Sequence, residues 1–160
     1  MKKLIYIFLF SMILINCEKP KDLSLEDFVF GSNDLSETCT LVPYDDSFPF
    51  GIQSNPFISS DPEFIDLFTT LIFKDSTLSK SVRSVLFSLY FGKNEFGLNG
   101  TEFDSDSLAN RAEKILKNEL ADTLRFAVFN KGRIVLQLWR DDNTDSCFYE
   151  LEELVRNRLK

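Results

Sequence analysis

The sequence predicts an α+β fold in which helices pack on a small antiparallel sheet. Two observations predict this class. Three segments between residues 61 and 121 carry apolar residues at helical spacing, and residues 124 to 139 then switch to alternation. The 17 Phe residues supply enough apolar area for a real core in a chain of 160 residues. The expected order is three helices, an antiparallel β-hairpin that an N-terminal strand can extend, and a C-terminal helix.

The first elements are expected to be short. Ser24-Leu25-Glu26-Asp27 fits the cap of a single helical turn. Residues 37 to 42 alternate and contain β-branched side chains, so they predict a strand that ends before Pro43. Residues 43 to 60 contain three prolines and a glycine, and they predict a loop. The loop's large apolar residues either close the core beneath it, which we favour, or grip a partner or an apolar ligand. These residues are Tyr44, Phe48, Phe50, Ile52 and Phe57.

Helix signals begin at Asp61, an N-cap residue that is followed by Pro62 at the first helical position. The second helix is predicted from about Thr77 to Phe91, where one apolar stripe ends at a glycine. Residues 92 to 104 are rich in Gly and Asn and predict a loop. The third helix is expected over residues 105 to 121, which place Leu, Ile and Ala on one face.

The alternating residues 124 to 139 flank Asn130-Lys131-Gly132, which predicts a β-hairpin whose turn uses the conformational freedom of Gly132. Trp139 is expected to pack against the sheet rather than to serve as a binding platform. The last segment, Cys147 to Lys160, has apolar residues at helical spacing and predicts the C-terminal helix.

The first 17 residues carry a separate pattern. Two lysines precede an apolar run over residues 4 to 15, which is shorter than the ~20 residues that span a bilayer but has the length of a signal-peptide core. The run ends in Leu14-Ile15-Asn16-Cys17. This order resembles the lipobox of bacterial lipoprotein signal peptides, in which Leu stands three positions before an obligatory Cys. Asn16 departs from the small residue that usually precedes that Cys.

The resemblance covers residues 1 to 17 only, and it implies that Cys17 is acylated after residues 1–16 are removed. Two or more acyl chains hold a protein stably at a bilayer. The expected organisation is a signal peptide over 1–16, the lipidated Cys17 and a tether over 17–35, and one domain over 36–160. The protein would then lie in the bacterial cell envelope, anchored to the inner or outer membrane and facing the periplasm or the cell surface. The alternatives are an uncleaved N-terminal anchor and an ordinary secretory signal.

Two cysteines remain once Cys17 is lipidated. An envelope protein passes through an oxidising compartment in which thiols pair. We therefore expect a disulfide between Cys39 and Cys147, joining the N-terminal part of the domain to its last segment. The alternative is two separate buried thiols.

Composition excludes several functional classes. The chain has no histidine, which excludes Ser-His-Asp and Cys-His catalysis and removes a common metal ligand. Its net charge of −7 offers no attraction for nucleic acid or anionic lipid headgroups. The glycines in Gly97-Leu98-Asn99-Gly100 lack the lysine that follows a phosphate-binding loop.

One metal motif stands out near the C-terminus. Four side chains match ligand positions 1, 3, 5 and 12 of an EF-hand-type calcium loop. They are Asp141, Asn143, Asp145 and Glu152. Ser146 stands where the glycine of such a loop belongs, and a strand rather than a helix enters it. The alternative is a polar turn in which Asp145 or Ser146 caps the final helix. Ca²⁺ is the one cofactor that the sequence suggests.

These observations leave two functional hypotheses. The first is a non-enzymatic envelope lipoprotein that binds an envelope protein or a small ligand, or that has a structural role. The second is a carboxylate-dependent hydrolase of envelope material, which needs a cleft in which one carboxyl group has a raised pKa. We favour the first hypothesis, with the membrane as a partner through the lipid anchor and no nucleic-acid partner.

Overall fold

The computed structural model describes residues 22–120, 126–141 and 145–160. Within these ranges the chain forms three α-helices and one six-stranded antiparallel sheet, which confirms the α+β class. The strands are β1 (Thr40–Leu41), β2 (Phe57–Ser59), β3 (Val82–Phe91), β4 (Glu95–Phe103), β5 (Phe126–Lys131) and β6 (Ile134–Arg140). The helices are α1 (Pro62–Phe73), α2 (Asp106–Leu120) and α3 (Ser146–Arg158). Short 3₁₀ turns lie at Leu25–Phe28, Pro49–Gly51 and Ser79–Ser81. In the part of the chain described, no helix combines the length and the apolar character needed to cross a bilayer.

The sheet has the order β1-β3-β4-β6-β5, and β2 pairs with β3 on the same side as β1. Strands β3 and β4 form the centre, with Phe87 opposite Asn99, and Asn99 in turn lies opposite Gln137 on β6. Strands β5 and β6 are antiparallel neighbours, and Gly132 has a φ of +57° in the turn between them. The short strand β1 and strand β5 therefore lie at opposite edges of the sheet.

Both faces of the sheet are covered. Helices α1 and α2 lie on one face, here called the helix face. Its central side chains are Val85, Phe87, Asn99, Val135, Gln137 and Trp139. Helix α3 and the N-terminal segment cover the opposite face and form the largest apolar cluster with it. That cluster includes Leu25, Phe28, Leu86, Tyr90, Leu98, Leu138 and Leu151.

The helix predicted from Thr77 to Phe91 is wrong, because these residues form a 3₁₀ turn followed by strand β3. Val85 and Leu86 are both fully buried although they point to opposite faces. A strand that is covered on both sides loses the contrast between apolar and polar positions. Its apolar residues then happened to fall at helical intervals.

The loop predicted for residues 92 to 104 is also wrong, since residues 95 to 103 form β4. The prediction took Gly97 and Gly100 as loop residues. Close packing, rather than a turn, requires a glycine at both positions. A Cβ atom at Gly97 would lie 2.6 Å from the indole of Trp139, and one at Gly100 would lie 2.9 Å from Leu25. Neighbouring side chains thus occupy the space above these two positions of the strand.

The tether predicted for residues 17–35 is too long. Leu25, Phe28 and Phe30 are at most 1% exposed and pack beneath the sheet. The backbone N–H of Ser24 donates to the Asp27 carboxylate at 3.0 Å, which closes the expected helical turn. Arg158 of α3 donates to the Asp27 carbonyl at 3.0 Å. The packed domain therefore begins near Leu25 rather than at residue 36.

The two predicted helix N-caps are confirmed. The Asp61 carboxylate accepts hydrogen bonds from the N–H groups of Glu63 and Phe64 at 3.0 and 2.9 Å, and Pro62 is the first helical residue of α1. The Asp145 carboxylate caps α3 in the same way by accepting from Cys147 N at 3.0 Å.

Candidate functional site

An apolar pocket lies between helix α1 and the helix face of the sheet. Its volume is about 270 Å³, roughly twice that of the ~150 Å³ engineered apolar cavity that admits benzene. The described residues that line it are Ile52, Phe64, Leu67, Phe68, Leu71, Ile72, Phe87, Asn99 and Trp139. None of these residues carries a charge, and Asn99 alone among them has an amide side chain. The pocket therefore offers an apolar surface, which suits a small apolar ligand.

Helix α1 supplies one wall because its apolar residues recur at intervals of three and four. They are Phe64, Leu67, Phe68, Leu71 and Ile72. Phe68 is 7% exposed, whereas Leu67 and Leu71 are 41% and 48% exposed. The half-exposed leucines lie on successive turns of the helix and form the mouth of the pocket. The N-cap at Asp61 fixes the start of this helix.

Residues 43 to 60 were predicted to be loop throughout, but they contain the short strand β2, and they pack against the same region. Ile52 is 4% exposed and lines the pocket. The Phe57 ring packs edge-on against Phe64, with 5.0 Å between ring centroids, and Phe48 packs edge-on against Phe87 at 6.3 Å. These rings pack onto the domain, as the favoured interpretation expected. Tyr44 is 43% exposed, and the side chain of Phe50 lies outside the described part.

Asn99 lines the pocket and lies opposite Gln137 on the neighbouring strand. The two side chains are 7% and 6% exposed, and Asn99 Nδ2 donates to Gln137 Oε1 at 3.1 Å. Asn99 Oδ1 has no hydrogen-bond partner among the described residues. A buried acceptor without a partner lowers stability by about 1–3 kcal/mol.

Trp139 closes one side of the pocket. The indole lies directly over Gly97 on the neighbouring strand, where a Cβ atom would approach it to 2.6 Å. Trp139 therefore packs on the sheet, as expected, and also lines the pocket, which the sequence did not predict. It is the single tryptophan of the chain.

The pocket as a whole was not predicted from the sequence. Asn99 fell in the segment that was predicted to be a loop, and Leu71 was expected only as part of a helix stripe. One signal pointed to the strand: Phe96, Leu98 and Gly100 alternate with Gly97, Asn99 and Thr101. The meeting of this strand with α1 depends on tertiary structure, which spacing along the chain does not contain.

Cys39 and Cys147 lie at disulfide distance, with 5.5 Å between their Cα atoms. Both are buried, at 3% and 2% exposure, and 108 positions separate them in sequence. The pair joins the segment before β1 to the first turn of α3. A second link lies beside it, because Ser36 Oγ donates to the Glu150 carboxylate at 2.8 Å. The N-terminal segment is thereby fastened to α3 at two adjacent points.

Two of the candidate calcium ligands, Asp145 and Glu152, serve other purposes. Asp145 is 2% exposed, and its two oxygens accept from Cys147 N and from Asn94 N, the latter at 2.9 Å. Glu152 forms an ion pair with Arg156 at 2.6 Å. Asn143 lies outside the described residues. Among the described residues, no group of three or more His, Cys, Asp or Glu is arranged to hold a metal. The N-cap alternative is confirmed for Asp145, and the calcium prediction gains no support.

Among the described residues, the carboxyl groups whose pKa values depart from their ordinary range do so downward. Hydrogen bonds from the hydroxyl and N–H of the residue two positions later lower the pKa of Asp45 and of Asp75. The hydrogen bond from Lys117 is the main cause that lowers the pKa of Glu113. These shifts favour the ionised form, whereas a general acid requires a raised pKa. None of the three carboxylates lines the apolar pocket.

No protein-family model, curated protein or solved structure matches the chain. Assignment of a function therefore depends on the chemistry of the pocket and its surroundings.

Proposed function

We propose that this protein is a lipid-anchored envelope lipoprotein whose domain binds a small, largely apolar ligand without catalysis. The observation that carries the proposal is the pocket beside α1, with its uncharged lining and its half-exposed Leu67 and Leu71. Water-exposed leucines on successive helical turns raise the free energy of the empty domain, and an apolar ligand would remove that surface from water. A purely structural spacer has no use for such an opening.

The anchor rests on the sequence of residues 1–17, which ends in Leu14-Ile15-Asn16-Cys17. The cysteine pair supports an extracytoplasmic location, because such pairs persist as disulfides in oxidising compartments. Acylation is tested by labelling native cells with palmitate. We expect wild-type protein to carry label and the Cys17→Ala variant to carry none, and label retained by the variant would contradict the anchor.

A binding role is favoured over hydrolysis by the residues that line the pocket. A carboxylate-dependent hydrolase needs two facing carboxyl groups, one of them with a raised pKa. None of the described lining residues is Asp or Glu. The same lining supplies apolar contact for a ligand, and apolar walls are usual in small-molecule binding pockets.

Ligand binding is tested with N-phenyl-1-naphthylamine, a neutral apolar probe whose fluorescence rises in apolar surroundings. We expect saturable binding by the purified protein. The Leu71→Lys variant, which puts a charge at the pocket mouth, is expected to bind the probe about tenfold more weakly, since the lost apolar contact corresponds to about 1.5 kcal/mol.

Phe91→Lys is the matched control, because Phe91 is as exposed as Leu71, at 48%, and lies outside the pocket lining. This variant should bind the probe as wild type does. Absence of saturable binding, or equal losses in the two variants, would contradict the proposed pocket.

A further inference from the structure

We propose that the pocket takes a cationic amphiphile, whose apolar body lies in the pocket and whose ammonium group lies in the groove beside it. The inference rests on the proposed function and adds the charge of the ligand's outer end. Three observations define that charge. They are a groove that continues the pocket, the carboxylates and aromatic rings that line this groove, and the distribution of charge along the chain.

The first observation is a groove that continues the pocket toward the start of helix α1. It is open to solvent, has a volume of about 680 Å³, and shares Phe64 and Leu67 with the pocket. Strand β2 and the loop before it supply most of its remaining lining. The pocket itself exposes no polar surface. An amphiphile whose body fills the pocket therefore extends past Leu67 and places its polar end in the groove.

The second observation is the kind of side chain that the groove presents. Asp61 and Glu63 are exposed and line it with two carboxylates, and the half-buried rings of Phe57 and Phe64 line it as well. Among the described residues that line the groove or the pocket, none is Lys or Arg. The faces of aromatic rings attract cations, as carboxylates do. Both kinds of group therefore favour an ammonium end and disfavour an anionic one.

The start of helix α1 does not reverse this preference. The free N–H groups at the first turn of a helix are equivalent to about half a positive charge. Two of them, on Glu63 and Phe64, already donate to the Asp61 carboxylate at 3.0 and 2.9 Å. The carboxylates of Asp61 and Glu63 together carry more negative charge than the helix end carries positive charge. The groove therefore remains negative.

The third observation is the distribution of charge along the chain. Residues 22 to 73 contain ten Asp and Glu and no Lys or Arg, whereas residues 74 to 160 contain fourteen of each kind. The net negative charge of residues 22 to 160 therefore belongs to the segment that supplies α1, β2 and the loop between β1 and β2. Within the described ranges, neither Asp61 nor Glu63 forms an ion pair. A surface of this sign attracts cationic ligands and repels anionic ones.

The test compares three ligands that have the same eight-carbon chain: octyltrimethylammonium, 1-octanol and octyl sulfate, each kept below its micelle-forming concentration. Trp139 is the single tryptophan and lines the pocket, so its fluorescence reports entry of the chain. We expect the ammonium ligand to bind about 3- to 10-fold more tightly than the alcohol, the ratio that two solvent-exposed ion pairs produce. Octyl sulfate should bind more weakly than the alcohol. The preference for the cation should shrink in about 1 M salt, which screens exposed charges.

Glu63→Gln removes one carboxylate of the groove and keeps the shape of the side chain. Its preference for the ammonium ligand over the alcohol should fall about two- to threefold, and Glu63→Lys should make the alcohol the tighter ligand. Asp61 is left unchanged because it caps α1. The preference is a ratio of two affinities measured on the same variant, so a partly unfolded fraction does not alter it.

Glu153→Gln is the matched control. It makes the same change in net charge at an exposed position of α3, which covers the opposite face of the sheet. This variant should keep the wild-type preference for the ammonium ligand.

The outcomes separate the two proposals. If wild type binds N-phenyl-1-naphthylamine but does not prefer the ammonium ligand to the alcohol, the charge inference is overturned and the pocket proposal stands. The same conclusion follows if Glu63→Gln and Glu153→Gln lose the preference equally, or if octyl sulfate binds more tightly than the alcohol. If neither the probe nor any of the three ligands binds, both proposals are overturned.

Discussion

Opening the Cys39–Cys147 link is expected to lower the free energy of unfolding by about 5 kcal/mol. The link closes a loop over a sequence separation of 108. In the chain-entropy relation, a loop of about 100 residues corresponds to about 4.7 kcal/mol at 25 °C, and the value rises only with the logarithm of the length. Domains of this size are typically stable by about 5–15 kcal/mol, so the effect is a third of the stability or more.

The assay is guanidinium unfolding followed by Trp139 fluorescence, with and without reductant. The Cys17→Ala background leaves Cys39 and Cys147 as the two thiols in the chain. At about 2–4 °C per kcal/mol for a chain of this length, the melting temperature should also fall by about 10–20 °C on reduction. The double variant Cys39→Ala/Cys147→Ala should be insensitive to reductant.

Two results would refute this reasoning. Equal unfolding midpoints for the oxidised and reduced protein would show that the link contributes nothing to stability. Alkylation of both Cys39 and Cys147 in native, unreduced protein would show that the pair does not form a disulfide in the cell. That result would also count against the proposed location in the cell envelope.

Three further predictions concern single positions. Gly92→Ala brings a methyl group to 2.7 Å from a sulfur of the cysteine pair and should lower stability by about 1–3 kcal/mol. Gly31→Ala, whose nearest atom is at 3.9 Å, is the neutral control, and equal urea midpoints would refute the difference. Burial raises the pKa of Tyr90 to about 12, above the ordinary value of about 10, so the folded state keeps its proton longer than the unfolded state. The stability from this shift is complete below about pH 10 and is lost toward pH 12, by roughly 3 kcal/mol. Tyr90→Phe should remove this part of the alkaline decline in urea midpoints, and parallel declines would contradict it. Gly97→Ala should displace Trp139 and weaken binding of the neutral probe, with unchanged probe affinity as the contrary outcome.

The sequence correctly predicted the elements that depend on interactions between residues close together in the chain. Asp61 and Asp145 cap their helices with carboxylates that accept backbone N–H groups, and such caps depend only on nearby residues. The residues on either side of Gly132 alternate and form β5 and β6, although β6 is buried on both faces along most of its length. The cysteine pair was expected because two cysteines remain beside Cys17 and because an envelope protein passes through an oxidising compartment. The spacing of the cysteines along the chain did not contribute to that expectation.

The remaining elements depend on neighbours that are distant in sequence. Strand β3 is apolar on both sides because α1 covers one face and the N-terminal segment covers the other, so its pattern resembled a helix stripe. Strand β4 contains Gly97 because Trp139, 42 positions later in the sequence, lies over it. Asn99 is buried only because Gln137 and α1 surround it in the folded chain. Its position between two glycines gave no sign of that burial.

The burial of Leu25 sets how far the folded domain can stand from a bilayer. If acyl chains hold Cys17 in the membrane, residues 18 to 24 form the segment that links this anchor to the packed domain. Seven residues span at most about 25 Å when fully extended, which is close to the diameter of a small domain. The domain would therefore lie close to the lipid headgroups and would not extend across the periplasm. Hydrophobic molecules that leave the membrane surface would have only a short distance to diffuse to the domain.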